Sequence, residues 1–363
     1  MAKRVVYLIG AGATHGAASF HGFGKGLLME DLKLDISNKV KENLKGPEIE
    51  SDMGWAINEL MAGADLERLI SLFEYSATSK HSKIARSLRK SFREVLEERI
   101  NEIGTDFVPE LYVNLLDMHN IQGLDEELVA ILTTNYEDLI ERAVQRIYGG
   151  INYTINVILP NASYTLKNEA PPLLKLHGSF NWKNEFPISI TSQGEQDEGI
   201  WIPPGVIKRK EYYPFNIIWG KAKELLNCDI LRIIGSSLNQ NDWDLIALIT
   251  IAQGIGRETG KKLSIELIGS VDAKSRLHEN HRYMEVVGID EIPEVRDFIK
   301  KDYLGSDMAV NDDRLNEVIK EYFEESKNFF EVWLRAKGEK LLADGVSLET
   351  QNNLFKDFIE GDM

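Results

Sequence analysis

Four short stretches place glycines or polar side chains directly behind apolar runs. They are Gly10-Ala11-Gly12-Ala13-Thr14 behind VVYLI, Thr133-Thr134-Asn135 behind ELVAIL, His177-Gly178-Ser179 behind LLKL, and Gly235-Ser236-Ser237 behind LRII. Each type has a distinct use. A turn without Cβ atoms lets backbone amides approach a pyrophosphate at a helix start. An asparagine amide donates and accepts in fixed directions, which suits it to a hydroxyl or a water. An imidazole with an ordinary pKa of about 6.5 can accept a proton near neutral pH.

Taken singly, each has a plainer explanation. Asn135 precedes a helical pattern, where asparagine is a good N-cap. A lone histidine at a strand end is ordinarily a hydrogen-bonded polar residue, and glycine pairs also occur for steric reasons. Gly16 sits one place late for a dehydrogenase fingerprint, and Glu30 and Asp31 fall in a helical pattern instead of closing a second strand, which argues against hydride transfer. His278 and His281 have the spacing of a metal pair on a helix, but no acidic or thiol cluster accompanies them, so they read as solvated.

For the four stretches to act together, the chain must bring their ends to one edge. The apolar runs ending at Gly10, Asn135, Ser179, Ser237 and Ser270 have strand length, and YMEVVG, ending at Gly288, is a candidate sixth. Several are separated by helical patterns, such as EDLIERAVQRIY. The expected fold is α/β: a Rossmann-like, doubly wound, mostly parallel sheet whose ligands bind beyond the strands' carboxyl ends. A helical insertion is expected at about 35–123, and a helical C-terminal segment at 301–363, rich in aromatics. Those aromatics suit either core packing or the docking of a partner. Residues 1–300 would then form the catalytic domain.

The 363 residues, 43% of them hydrophobic, can fill a sizeable core. A net charge of −16 opposes nucleic acid on average, and the basic run RSLRKSFR (Arg86 to Arg93) reads as a solvated helix face, so direct nucleic-acid binding is not expected. The single Cys228 excludes an intramolecular disulfide and a thiolate zinc site, and it fits a reducing, cytoplasmic setting. Lys3 and Arg4 before VVYLI imitate a secretion signal, but the apolar run is short and broken by glycines. No stretch approaches the roughly 18 apolar residues of a membrane helix.

In this order, GAGAT, TTNYED, LHGS and IIGSSLNQND resemble the SIR2-like domains of the sirtuin superfamily, in particular those of prokaryotic antiphage defence, including the SIR2 partner of HerA-type ATPases. The resemblance implies NAD+ as substrate. Gly10, Ala11, Gly12 and Thr14 would meet its pyrophosphate. Thr134 and Glu137 would line the nicotinamide side, and Gly235, Ser236 and Ser237 the phosphates and adenosine ribose. Asn135 and His177 would be catalytic, the first holding ribose or water and the second acting as base. The chain departs from the family in carrying Glu137 where Asp is usual, and in lacking the four zinc cysteines of deacetylases, so no zinc is expected. The implied activity is NAD+ glycohydrolysis, as an NAD-depleting effector in antiphage defence. A homo-oligomer or a HerA-like ATPase would control it.

Overall fold

The computed structural model describes residues 2–23, 27–43, 47–76, 78–155, 164–182, 200–206, 208, 210–238, 240–305, 311–325 and 328–361. Its centre is a six-stranded sheet of β1 (Lys3–Ile9), β2 (Glu126–Thr133), β3 (Leu173–Lys175), β6 (Ile230–Ile234), β7 (Ser264–Ile268) and β8 (Val287–Gly288). A separate antiparallel pair joins β4 (Gly178–Ser179) to β5 (Ile200–Trp201). The strand order is β3-β2-β1-β6-β7-β8, and every pairing in the large sheet is parallel. The chain therefore builds outward from β1 on one side, returns, and builds outward from β6 on the other. That is the doubly wound order, and its topological switch point lies between the carboxyl ends of β1 and β6. Successive residues Val5 to Ile9 are all buried. Because neighbouring strand residues face opposite sides, both faces of the sheet must be covered.

The covering helices are α1 (Ala11–Ser19), α2 (Met29–Asn43), α3 (Pro47–Met61), α4 (Leu66–Tyr75), α5 (Ser79–Ile103), α6 (Glu110–Met118), α7 (Leu139–Tyr148), α8 (Phe215–Leu225), α9 (Trp243–Thr259), α10 (Ala273–Asn280), α11 (Pro293–Ile299), α12 (Asp312–Glu324), α13 (Phe329–Ala343) and α14 (Leu354–Glu360). The expected helical insertion is present with different limits. It starts at α2, and α2 to α5 pack on one another. By contrast α6 packs with α1, α7, α13 and α14 in the layer beside the sheet. The physical reason is that residues Leu111 to Met118 are all buried, so this helix needs neighbours all round.

The C-terminal aromatics are used inside the molecule. Phe330 and Trp333 on α13 are buried, and α13 packs on α1, α6, α11 and β7. Position 300 thus does not separate two independently packed bodies. The closing strap is fastened by the buried Asp117 at the end of α6. Its carboxylate accepts from Thr350 Oγ1 (2.8 Å), Asn352 Nδ2 (3.3 Å) and the Phe355 amide (3.1 Å), which supplies the start of α14 with an acceptor its own Asn353 does not provide.

One buried ion cluster crosses the sheet. Arg232 on β6 makes a forked pair with Glu126 on β2 (2.5 and 2.8 Å) and reaches Glu266 on β7 (2.7 Å). Lys337 on α13 adds a bond to Glu126 (2.8 Å), and the Arg232 guanidinium lies 5.3 Å from the Trp333 ring centre. These contacts tie four elements that are far apart in sequence. The two cations hold the Glu126 carboxyl well below the usual carboxylate range, against the opposing effect of burial.

Candidate functional site

At the switch point the two glycine turns interlock. The Gly10 amide donates to the Ile234 carbonyl (2.9 Å) and the Gly12 amide to the Gly235 carbonyl (2.8 Å). A Cβ on Gly12 would stand 2.7 Å from the Gly235 oxygen. Gly235 has φ +62°, and a Cβ there would overlap the Ala13 nitrogen at 1.9 Å. The steric reason for these glycines is therefore real, and these two amides are engaged within the protein. Both belong to or border the first turn of α1, where the Ala13 amide is also engaged, by the Gly10 carbonyl (3.0 Å), so what this helix start offers an anion is its dipole.

Behind this turn pair lies a closed polar network. Thr14 Oγ1 donates to Glu137 Oε1 (2.7 Å) and accepts from Asn135 Nδ2 (2.9 Å) and the Tyr112 hydroxyl (2.7 Å). One donor and two acceptor sites are all a threonine hydroxyl has, so Thr14 is saturated and the Asn135 amide is held in one orientation. The other Glu137 oxygen accepts from the Leu139 amide at the start of α7 (2.9 Å). Both Glu137 oxygens are thus directed into the protein, where they order Thr14 and Asn135. The side chain that sequence reasoning missed here is Tyr112. Its only signal was a tyrosine within an otherwise apolar helix, and burial together with Glu137 raises its pKa well above the ordinary value.

Thr14→Val is nearly isosteric and removes all three bonds. It should lower unfolding stability by about 1–3 kcal/mol, because a buried carboxylate, amide and phenol each lose a partner. Urea denaturation followed by circular dichroism measures it, and an unchanged midpoint would show that the network is not energetically closed.

His177 follows β3 and is 4% exposed. Gly178, with φ +75°, lets the chain turn there, since a Cβ would meet the Ile200 carbonyl at 2.2 Å. The His177 carbonyl accepts from the Ile202 amide (2.8 Å), and the Thr134 backbone hydrogen-bonds its ring. Tyr136 supports the same strand end. It stacks on Phe180 at 5.1 Å and 4°, meets Trp201 edge-on at 5.4 Å, and donates its hydroxyl to the Ile202 carbonyl (2.9 Å). Burial, and then the Lys208 charge, push the His177 pKa well below the ordinary value, so the ring is neutral at physiological pH. Asp242 lies 4.0 Å from its Nε2. Four residues further along, neither polar atom of the Asn181 side-chain amide has a hydrogen-bond partner among the described residues.

The structure thus brings Gly10, Gly12, Thr14, Thr134, Asn135, Glu137, His177 and Gly235 to the carboxyl edge around the switch point. Ser236 is turned into its own loop, its Oγ accepting from the Leu238 amide at 3.3 Å, and Ser237 is exposed. Two other sequence expectations change. His281 is buried, not solvated, and bonds the Tyr283 hydroxyl (3.0 Å), while His278 bonds the Met284 carbonyl (3.1 Å). Phe92 and Leu88 turn the basic helix α5 inward, so Arg93 pairs with Glu97 (2.9 Å) and Arg89 with Glu74. No group of histidine, cysteine or acidic residues suited to a metal occurs among the described residues, and no described helix is long and apolar enough to cross a membrane.

Residues 129–281 match the family model of the SIR2-like domain. No curated protein matches the chain. Among solved structures, a Sir2 enzyme shares 15% identity over 74% of this chain and 82% of that one, with a TM-score of 0.34. Sir2Tm bound to a propionylated peptide shares 16% over 78% and 95%, with a TM-score of 0.34. A Sir2 homologue mutant in complex with ADP ribose shares 14% over 73% and 80%, with a TM-score of 0.30. The matched segment runs from within β2 to the end of α10 and includes Asn135, Glu137, His177 and the Gly235 turn: over these residues the chain is similar to a SIR2-like domain.

Proposed function

We propose that the protein is an NAD+ glycohydrolase, converting NAD+ and water to nicotinamide, ADP-ribose and a proton. The observation that carries this reading is a rigidly oriented Asn135 and a neutral, buried His177 behind the carboxyl ends of the neighbouring strands β2 and β3, on the edge of a parallel sheet that holds the switch point. Dinucleotides bind in such crevices. The dipole at the start of α1 fits an anionic ligand.

Nicotinamide leaves as a neutral base from a cationic glycoside, so the bond can break through an oxocarbenium-like state without a strong acid. The chain then has two tasks. Asn135 orients a ribose hydroxyl or the water, and His177 accepts the proton released as the water attacks. Deacylation is less favoured because the single cysteine leaves no thiolate zinc ribbon; the stretch in which such a ribbon would lie, 180–201, falls outside the described residues over 183–199. In this reading the protein is an NAD-depleting effector of antiphage defence, controlled by self-assembly or by a HerA-like ATPase. The motif order supports that role.

The test is nicotinamide release from NAD+ by the purified chain, alone and with a HerA-like ATPase encoded beside it. Binding of NAD+ with no release under either condition would sink the hydrolase reading. Light scattering of the same samples reports assembly.

A further inference from the structure

We infer that Asp242 is the counter-charge of His177, and that Lys208 and Glu67 set the strength of that pairing. The inference rests on the proposed role of His177 as base, and it concerns a residue at the start of α9 that the motif reading did not assign. Four groups from four parts of the chain meet here. His177 Nε2 stands 4.0 Å from Asp242 Oδ1, and Lys208 Nζ stands 3.8 Å from the same oxygen. Lys208 is itself bonded to Glu67 Oε1 at 2.6 Å, on the first turn of α4 in the helical insertion. Lys208 and His177 are both buried.

The charges explain the arrangement. Formally, Lys208 is positive and Glu67 and Asp242 are negative, which leaves one negative charge beside a neutral imidazole. Uptake of a proton by His177 cancels it. Without Asp242, burial and the Lys208 ammonium would both oppose the imidazolium, and a base that cannot hold its proton is a poor base. Glu67 draws Lys208 toward α4, leaving Asp242 free to face the ring. The turn bearing Asp242 is itself clamped: Asn241 Nδ2 donates to Asp65 Oδ2 (2.8 Å), and Arg68 donates to Asn241 (3.3 Å) and Gln240 (2.8 Å). The other charged groups around Asp242 are Asp65 and Asp244, which Lys210 pairs. Burial, ahead of these neighbours, pushes the Asp242 pKa up to about 6, so its counter-charge is present at neutral pH and fades as the pH falls below that value.

The experiment is a pH titration of the His177 ring by NMR in the full chain labelled with ¹⁵N-histidine, the signal being identified by its loss in His177→Gln. Lys208→Met should raise the ring's proton affinity by roughly tenfold or more, the size of a charge effect at 4–6 Å. Asp242 loses its charge near pH 6, above the range in which the ring itself titrates, so the pairing shows in the parent chain as a step in the ring signal near that pH; Asp242→Asn should abolish the step and Asp242→Glu should preserve it. A cluster that only braces the insertion against the sheet would give no step in the parent chain, or one that Asp242→Asn retains, and either result overturns the pairing. Should Lys208→Met fail to fold, Asp242→Asn against Asp242→Glu decides alone. The readout does not require NAD+ cleavage. A chain that binds NAD+ but releases no nicotinamide ends the hydrolase reading and leaves the pairing to its own result.

Discussion

His177→Ala is expected to reduce nicotinamide release by about 10²–10⁴-fold, the range for losing a positioned general base, with little change in NAD+ affinity. The backbone tie at this position, from the Ile202 amide to the His177 carbonyl, survives the truncation, so the change takes away a proton acceptor while the strand end keeps its bond. Asn135→Ala should cost release as well, but for a different reason. Its side chain is anchored to Thr14 on one side only, so truncation loses orientation of the reactants, and it also leaves Thr14 with an unused acceptor site. Both variants should lower the urea midpoint, since each truncates a buried side chain, so release is compared per folded molecule. Steady-state release and NAD+ titration calorimetry on both variants check this. Full release by His177→Ala would remove the histidine from the mechanism.

Glu126→Ala should be among the most destabilising single changes in the chain. It leaves the Arg232 guanidinium with Glu266 as its one carboxylate partner beside the Tyr7 hydroxyl, and withdraws the hydrogen-bonded partner of Lys337, both inside the protein. Breaking a buried ion pair from one side typically costs about 3–5 kcal/mol, because the remaining charge is desolvated and unpaired. Replacing the cluster together, as Glu126→Leu with Arg232→Met and Lys337→Met, should recover most of that loss, since apolar groups of similar volume carry no such penalty. Chemical denaturation of the single and triple variants provides the comparison. If Glu126→Ala cost less than about 1 kcal/mol, within the range of an exposed ion pair, water would have to reach these charges in solution.

These two cases mark the limits of what the sequence alone could supply. The strands were legible because parallel strands buried on both faces are near-continuous apolar runs, as in Val5 to Ile9 and Leu128 to Leu132, and their ends were legible because glycines and polar residues rarely extend such a run. Asn135 and His177 could thus be placed at one edge before any coordinates, and the helical character of the insertion followed from amphipathic spacing. Its limits did not: α6 is apolar on all sides, so periodicity could not assign it to one face or one layer. The direction of each polar side chain was also beyond the sequence. Whether Glu137 faces a ligand or Thr14, and whether His281 faces water or Tyr283, depends on residues more than a hundred positions away in the first case and on local packing in the second. The pairing of Arg232 with Glu126, and of His177 with Asp242 and Lys208, arises only when the doubly wound sheet and the insertion bring separated charges into a space that excludes water. The sequence by itself determined the strand-and-turn alphabet and the site's cast, since both are local consequences of hydrophobic pattern and backbone freedom. The tertiary structure alone decided protonation, orientation and partnership, because those depend on burial and on distances between groups that the chain order does not encode.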